Sequence, residues 1–287
     1  MIIFAESSAG AHTAANQDSL TAELLHDQRL GRMAFAVVAD GMGGMQCGEI
    51  ASAAVVDAFR AWVERADFRR LDASWLWSQW AAVISGVHEE LRVFSGPRHI
   101  QTGTTVTALL LTSDTYYVAN VGDSRCYEVT SRLRLLTEDH SLAASQVRQG
   151  LLSAEQARTD PRQRVLLQCV GVGQAPRPDY FTAAAPKGAK YLLCTDGMRN
   201  AVRDEELFEV LSAGLASTEQ LTELIRRNRS RGETDDISAI LIEHCPQGGT
   251  GKIGTTSLGV RGRLVPTTTV DVDVVEADDV GQVGAIK

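Results

Sequence analysis

The chain has no disulfide framework. Its five cysteines, Cys47, Cys126, Cys169, Cys194 and Cys245, are odd in number, widely spaced and free of any CxxC pair. That excludes a zinc ribbon and predicts reduced thiols packing as small apolar residues. An excess of positive charge is also missing. Lys and Arg total 28 against 36 Asp and Glu, a net charge of −8, which argues against a general nucleic-acid binder. No apolar run approaches the ~18 residues of a membrane span. The start, Met1-Ile2-Ile3-Phe4-Ala5-Glu6, has neither the basic n-region nor the apolar core of a signal peptide. HExxH and paired Cys/His spacings are absent, so nothing points to zinc. A cytoplasmic protein is expected, monomeric, with neither nucleic acid nor membrane as partner.

Residues 246–287 contain no aromatic side chain and are rich in Gly, Thr, Val and Asp. Such a segment buries little, so a flexible or locally ordered tail is expected there and a folded domain over 1–245. Val270-Asp271-Val272-Asp273-Val274 has the alternation of an edge strand. The chain as a whole, 44% hydrophobic and 22% charged over 287 residues, can bury a substantial core.

Hydrophobic period divides the rest. Strands are expected at Ile2–Ala5, Leu20–Leu25 and Met33–Ala39. Ile50, Ala51, Ala54, Val55, Ala58 and Trp62 recur at helical spacing, and a second helix is expected over about 74–93. Trp75, Trp77 and Trp80 at its start read as core packing. Strands return at Thr104–Leu111, Tyr116–Val121, Arg125–Val129 and Leu133–Leu136, with the short links of an antiparallel meander. Residues 141–178 read as a mobile excursion carrying a helix over Ser141–Gln149 and a capping box at Ser153-x-x-Gln156. A strand over Lys190–Thr195, helices over 204–213 and 218–229, the second with a capping box at Ser217-x-x-Gln220, and a strand over Ile237–Glu243 complete the domain.

Acids punctuate this pattern. Asp40-Gly41, Gly122-Asp123 and Asp196-Gly197 lie at strand ends or tight turns; Asp18 follows the first loop and Asp235 precedes the last strand. Turns favour Asp and Gly by themselves, but here each acid adjoins a strongly apolar strand. Carboxylates gathered at one sheet edge repel and raise one another's pKa unless cations join them. All-oxygen donors select hard ions such as Mg²⁺ or Mn²⁺.

The motifs carrying these acids, in order, are Asn16-Gln17-Asp18, Asp40-Gly41-Met42-Gly43-Gly44 with Gly48-Glu49-x-Ala51-Ser52, Gly103-Thr104-Thr105, Ala119-Asn120-Val121-Gly122-Asp123-Ser124-Arg125, Thr137-x-Asp139-His140-Ser141, Thr195-Asp196-Gly197-Met198 and Gly232-x-x-Asp235-Asp236-Ile237-Ser238. Together they resemble the metal-dependent Ser/Thr protein phosphatases of the PP2C (PPM) family in its bacterial form. The resemblance implies an α+β fold: a four-layer α-β-β-α sandwich of two antiparallel sheets flanked by helices. It implies two Mn²⁺ or Mg²⁺ ions, with a third, weaker ion held in part by Asp123. By the same match Asp40 bridges the two ions, the Gly41 carbonyl binds one, Asp196 and Asp235 bind the other, and Asp18 acts through water. Segment 141–178 corresponds to the family's flap. The implied reaction is hydrolysis of phosphoserine and phosphothreonine in proteins by a metal-activated water, opposing a Ser/Thr kinase.

Four positions depart from the family pattern. Thr13 stands where a phosphate-gripping arginine is usual, Gln17 replaces Glu, Asp236 replaces Asn and Ser238 replaces Thr. Arginine clamps phosphate through two bonds in a way threonine cannot, leaving either His12 or the metals to hold phosphate. The departures at Thr13 and Gln17 motivate a competing reading, a weak or inactive phosphoprotein-binding module; retention of Asp40, Asp196 and Asp235 together argues against it. Cys126 and Arg132 match the Cys-x5-Arg spacing of cysteine phosphatases, but the intervening residues read as a strand without glycine and form no phosphate cradle. His140 reads as a structural hydrogen-bonder.

Overall fold

The computed structural model describes residues 1–11, 15–42 and 47–245 and the backbone of 253–255. Twelve strands and six helices alternate through it: β1 (Ile2–Ser8), β2 (Asp18–Asp27), β3 (Gly31–Met42), α1 (Gly48–Val63), α2 (Ala73–Ser95), β4 (Gly103–Thr104), β5 (Val106–Leu111), β6 (Thr115–Val121), β7 (Arg125–Val129), β8 (Leu133–Leu135), α3 (Leu142–Arg148), α4 (Ala154–Thr159), β9 (Asp179–Ala184), β10 (Lys190–Cys194), α5 (Asp204–Ser212), α6 (Ser217–Ser230), β11 (Ile237–Glu243) and β12 (Ile253–Thr255).

The strands form two sheets. One runs β12-β1-β11-β10-β7-β8; the other runs β2-β3-β5-β6-β9, with β4 paired to the end of β3. All pairs are antiparallel except β12, which lies parallel beside β1. Strand β3 shows how the layers arise. Side chains alternate across a strand, and both faces of β3 are buried, which is why Met33–Ala39 reads as an unbroken apolar run. Met33, Phe35, Val37 and Ala39 pack beneath α1 and α2 with Phe59, Trp62 and Trp80. Ala34, Ala36 and Val38 face the other sheet and meet Ile3, Tyr191, Leu193, Ile240 and Ile242. On that sheet's far side Tyr127, Leu192, Cys194 and Leu241 pack under α5 and α6. The result is the expected four-layer α-β-β-α sandwich.

Several local expectations change. The face of α1 is rotated: Ile50 is exposed at 41%, while Phe59, absent from the expected stripe, is fully buried. Phe59 packs between Phe35 and Trp80, and a large aromatic ring outweighs the alanines in setting the helix's orientation. The meander breaks at Gly122-Asp123-Ser124. Strands β5 and β6 belong to one sheet and β7 and β8 to the other, and Gly122, at φ +105°, makes the crossing. Left-handed backbone of this kind is open to glycine and strained for most other residues. Strand β9 was not legible: it is a short edge strand pairing only with β6, partly exposed and preceded by prolines.

Helix α6 lacks the Ser217–Gln220 capping box. The Ser217 hydroxyl instead donates to Glu243, and the Glu219 carboxylate accepts from the Ala216 N–H at 3.2 Å. The box at Ser153–Gln156 is present, with both bonds made, at 2.8 and 3.1 Å. The far end of segment 141–178 is tied to the core: Thr104 and Val170 exchange two backbone bonds of 2.9 Å, and Val170 is fully buried. Residues Val270–Val274 lie outside the described residues.

Candidate active site

Four acids meet at one edge of the sandwich, two from each sheet. Asp18 opens β2 and Asp40 lies near the end of β3, directly opposite each other in the β2–β3 register. Asp196 follows β10 and Asp235 precedes β11, and these two strands are antiparallel neighbours. Asp40 continues the inward series Ala34, Ala36, Val38, so its carboxylate points between the sheets. A hydrogen bond joins the halves: the Thr195 hydroxyl donates to Asp18 Oδ2 at 2.8 Å.

The backbone around Asp40 is fixed by the Gly103-Thr104-Thr105 segment. The Asp40 N–H donates to Thr105 Oγ1 at 2.9 Å. Its carbonyl accepts from the Thr104 hydroxyl and the Thr105 N–H, both at 2.9 Å. Main-chain needs are met and the carboxylate is left for other work. Gly41 sits where strand and helix close on each other. A Cβ there would lie 2.1 Å from the Gly48 carbonyl oxygen and 2.5 Å from that of Gln17, so only glycine fits.

The first loop is held by similar means. Asn16 Oδ1 accepts the Asp18 N–H at 2.9 Å, a local turn that brings Asp18 into line. Asn16 Nδ2 donates to Ser7 Oγ at 2.8 Å. Asp236, the departure from the family's asparagine, uses both carboxylate oxygens as acceptors: Oδ1 takes the Gly10 N–H at 2.6 Å and Oδ2 the Gln17 N–H at 2.7 Å. Arg229 reaches under the same loop, donating to the carbonyls of Ser8 and Ala9 at 3.0 Å and of Asp235 at 2.6 Å. His12 and Thr13, and Gly43 and Gly44, lie outside the described residues.

The electrostatics are those of crowded acids. Burial, then the charges of Asp18, Asp196, Asp123 and Asp235, push the Asp40 carboxyl well above the usual range. Burial likewise raises Asp18, against the lowering effect of its hydroxyl donors, with Asp236 and Asp196 adding to the rise. Asp235 is raised to about 6 by burial and by Asp196. Asp196 is the common neighbour in all of these, and its buried Oδ1 has no hydrogen-bond partner. Among the described residues the acids are not drawn into a closed metal cage by the protein alone.

Asp123 lies in the crossing between the sheets, and its carboxyl is raised to about 7 by burial and Asp196, against the pull of Arg199. Arg199 Nη2 donates to the Asp123 carbonyl at 3.0 Å and to its Oδ2 at 3.3 Å. Arg125 forms a two-pronged pair with Asp139, both bonds 2.8 Å, joining two of the sequence motifs. Nothing in the sequence marks Arg199, which stands one tight turn beyond Asp196 with no local partner. His140 is structural: Nδ1 accepts the Gly122 N–H at 3.2 Å, and Nε2 lies 3.1 Å from Asp179. Cys126 is fully buried in β7, and burial pushes its thiol pKa far up, so it is no nucleophile.

Residues 7–241 match the family described as Protein phosphatase 2C. The chain belongs to the protein phosphatase 2C family. It is 34% identical over 213 residues to the serine/threonine phosphatase stp of Listeria monocytogenes serotype 4b, covering 73% of this chain and 84% of the relative. Its fold matches the S. agalactiae serine/threonine phosphatase with a TM-score of 0.75 at 26% identity, over 85% of this chain and 99% of that one. A similar match, TM-score 0.70 at 25% identity over 85% and 98% of the two chains, is to the catalytic domain of the serine/threonine protein phosphatase PstP in complex with two manganese ions. Family membership makes this chain a metal-dependent protein phosphatase. Its oxygen-only donors, mutually repelling acids and the orphaned Asp196 oxygen fit the hard divalent cations the family requires.

Proposed function

We propose that the acidic edge hydrolyses phosphoserine and phosphothreonine in proteins, in the cytoplasm, as a monomer opposing a Ser/Thr kinase. The observation that carries this reading is the convergence of Asp18, Asp40, Asp196 and Asp235 from two sheets, with Asp18 and Asp40 surrounded chiefly by like charge. Asp40, the Gly41 carbonyl, Asp196 and Asp235 would hold the ions, Asp40 as a ligand common to two, the Gly41 carbonyl to one and Asp196 and Asp235 to the other. Asp18 would act through a water. Bound Mn²⁺ or Mg²⁺ would supply an activated water and offset charge on the phosphoryl oxygens.

The chain's own part is positional. Thr104 and Thr105 fix the Asp40 backbone, and Thr195 fixes Asp18. Asp236 and Arg229 hold the loop that ends in Asp18. No side chain is needed as a covalent nucleophile, in keeping with the inert Cys126. The test is turnover of p-nitrophenyl phosphate and of phosphoseryl and phosphothreonyl peptides with Mn²⁺, with EDTA and after Asp196→Asn. Turnover should require metal and be lost in the variant. Metal-independent turnover, or none in folded protein, overturns the proposal.

A further inference from the structure

We propose that Arg199 is a built-in cation that takes up the charge of Asp123, so that this chain binds two metal ions and not three. The inference rests on the metal reading above and limits it. The acids at this edge fall into two groups. Asp18, Asp40, Asp196 and Asp235 form the first, which repels itself and is also repelled by Asp123. Asp123 and Asp139 form the second, which is already balanced by two guanidiniums. Arg125 grips Asp139 with two bonds of 2.8 Å. Arg199 Nη2 lies 3.3 Å from Asp123 Oδ2 and 3.6 Å from Asp139 Oδ2. Each of these two carboxylates already has a permanent cation upon it, which a further ion would have to displace.

Arg199 cannot yield by losing a proton, because a guanidinium stays charged in proteins. Nor can it easily swing aside. Its side chain is only 10% exposed, and its backbone N–H is bound to the Asp196 carbonyl at 2.9 Å. A divalent ion needs a carboxylate oxygen at ~2.0–2.2 Å. To reach Asp123 it would have to displace a buried cation that stands on that oxygen. Asp196 Oδ1 presents the opposite case, a buried acceptor with nothing upon it. One short turn, Asp196–Met198 followed by Arg199, thus carries a free acid at its start and a fixed cation at its end.

The test counts ions. Metal-stripped wild-type chain titrated calorimetrically with Mn²⁺ should bind two, and Asp123→Asn should leave both the count and the affinities unchanged. Arg199→Ser, which frees Asp123 and opens space, should bind a third, weaker ion; Arg199→Lys, which keeps a cation there, should stay at two. Circular dichroism and thermal melting establish that each variant is folded. Three ions in wild type, loss of one in Asp123→Asn, or two in folded Arg199→Ser would each overturn the inference. Should Arg199→Ser not fold, the wild-type and Asp123→Asn counts decide alone. Failure of wild type to bind Mn²⁺ at all would instead overturn the metal reading on which this one stands.

Discussion

Asp18 and Asp40 face each other directly across neighbouring strands, on the face that looks between the two sheets. Like charges in that relation destabilise a sheet, so the pair is a cost the fold carries for the sake of what binds there. Replacing Asp40 by Asn should therefore raise the melting temperature of the metal-free protein. It should also abolish most of the stabilisation that Mn²⁺ confers and lower turnover by about two to three orders of magnitude, the several kcal/mol expected of a lost metal ligand. Thermal melts with and without Mn²⁺, beside turnover assays, check all three.

The raised acids set a pH dependence with a definite sign. Asp235 is raised from 3.8 to about 6 and Asp123 from 3.8 to about 7. A carboxyl whose pKa is higher in the folded chain than in the unfolded chain binds its proton more tightly when folded. Its contribution to stability is fully present below pH 3.8 and is lost as pH rises through the folded value. In EDTA, the melting temperature of wild type relative to the double variant Asp123→Asn/Asp235→Asn should fall between about pH 4 and about pH 7. Saturating Mn²⁺ should remove most of that difference at the upper end. A flat difference in EDTA would count against the crowding of these acids.

Asp236 gives a cleaner structural prediction, because both of its oxygens accept loop N–H groups. Asp236→Ala removes two charge-assisted bonds and should cost about 2–4 kcal/mol in urea unfolding. Asp236→Asn keeps one acceptor oxygen and should cost roughly half as much. The family's usual asparagine would thus hold this loop less firmly than the aspartate found here.

Gly41→Ala places a methyl 2.1 Å from the Gly48 carbonyl oxygen. Backbone must move, and overpacking of this kind costs about 1–3 kcal/mol or more. Turnover should fall further than stability, since the displaced atoms adjoin Asp40. Cys126→Ala, by contrast, should leave turnover unchanged, and iodoacetamide should not inactivate the native protein, in keeping with a buried, protonated thiol.

Much of this was readable in residue order. Period-two and period-3.6 patterns gave most strands and helices, because the two sheets bury continuous faces and α2 carries a clear stripe. The acids stood out because each interrupts or borders an apolar strand. What escaped was pairing at a distance. The crossing at Gly122 looks like any short link until partners are known, and β9 is an edge strand with little apolar content. Arg199 sits in a turn whose partners, Asp123 and Asp139, lie far back in the chain. The face of α1 is set by one phenylalanine, Phe59, and alanine spacing points elsewhere.

The pairing of β1 with β11 has a consequence for synthesis. Ser7 and Ser238 hydrogen-bond across 231 residues of chain, and Asp235 lies just before β11. Strand β1 therefore waits for β11, and the acids of the second sheet cannot meet those of the first until Asp235 has been made. A chain that stops short of Asp235 lacks one of the four acids of the site.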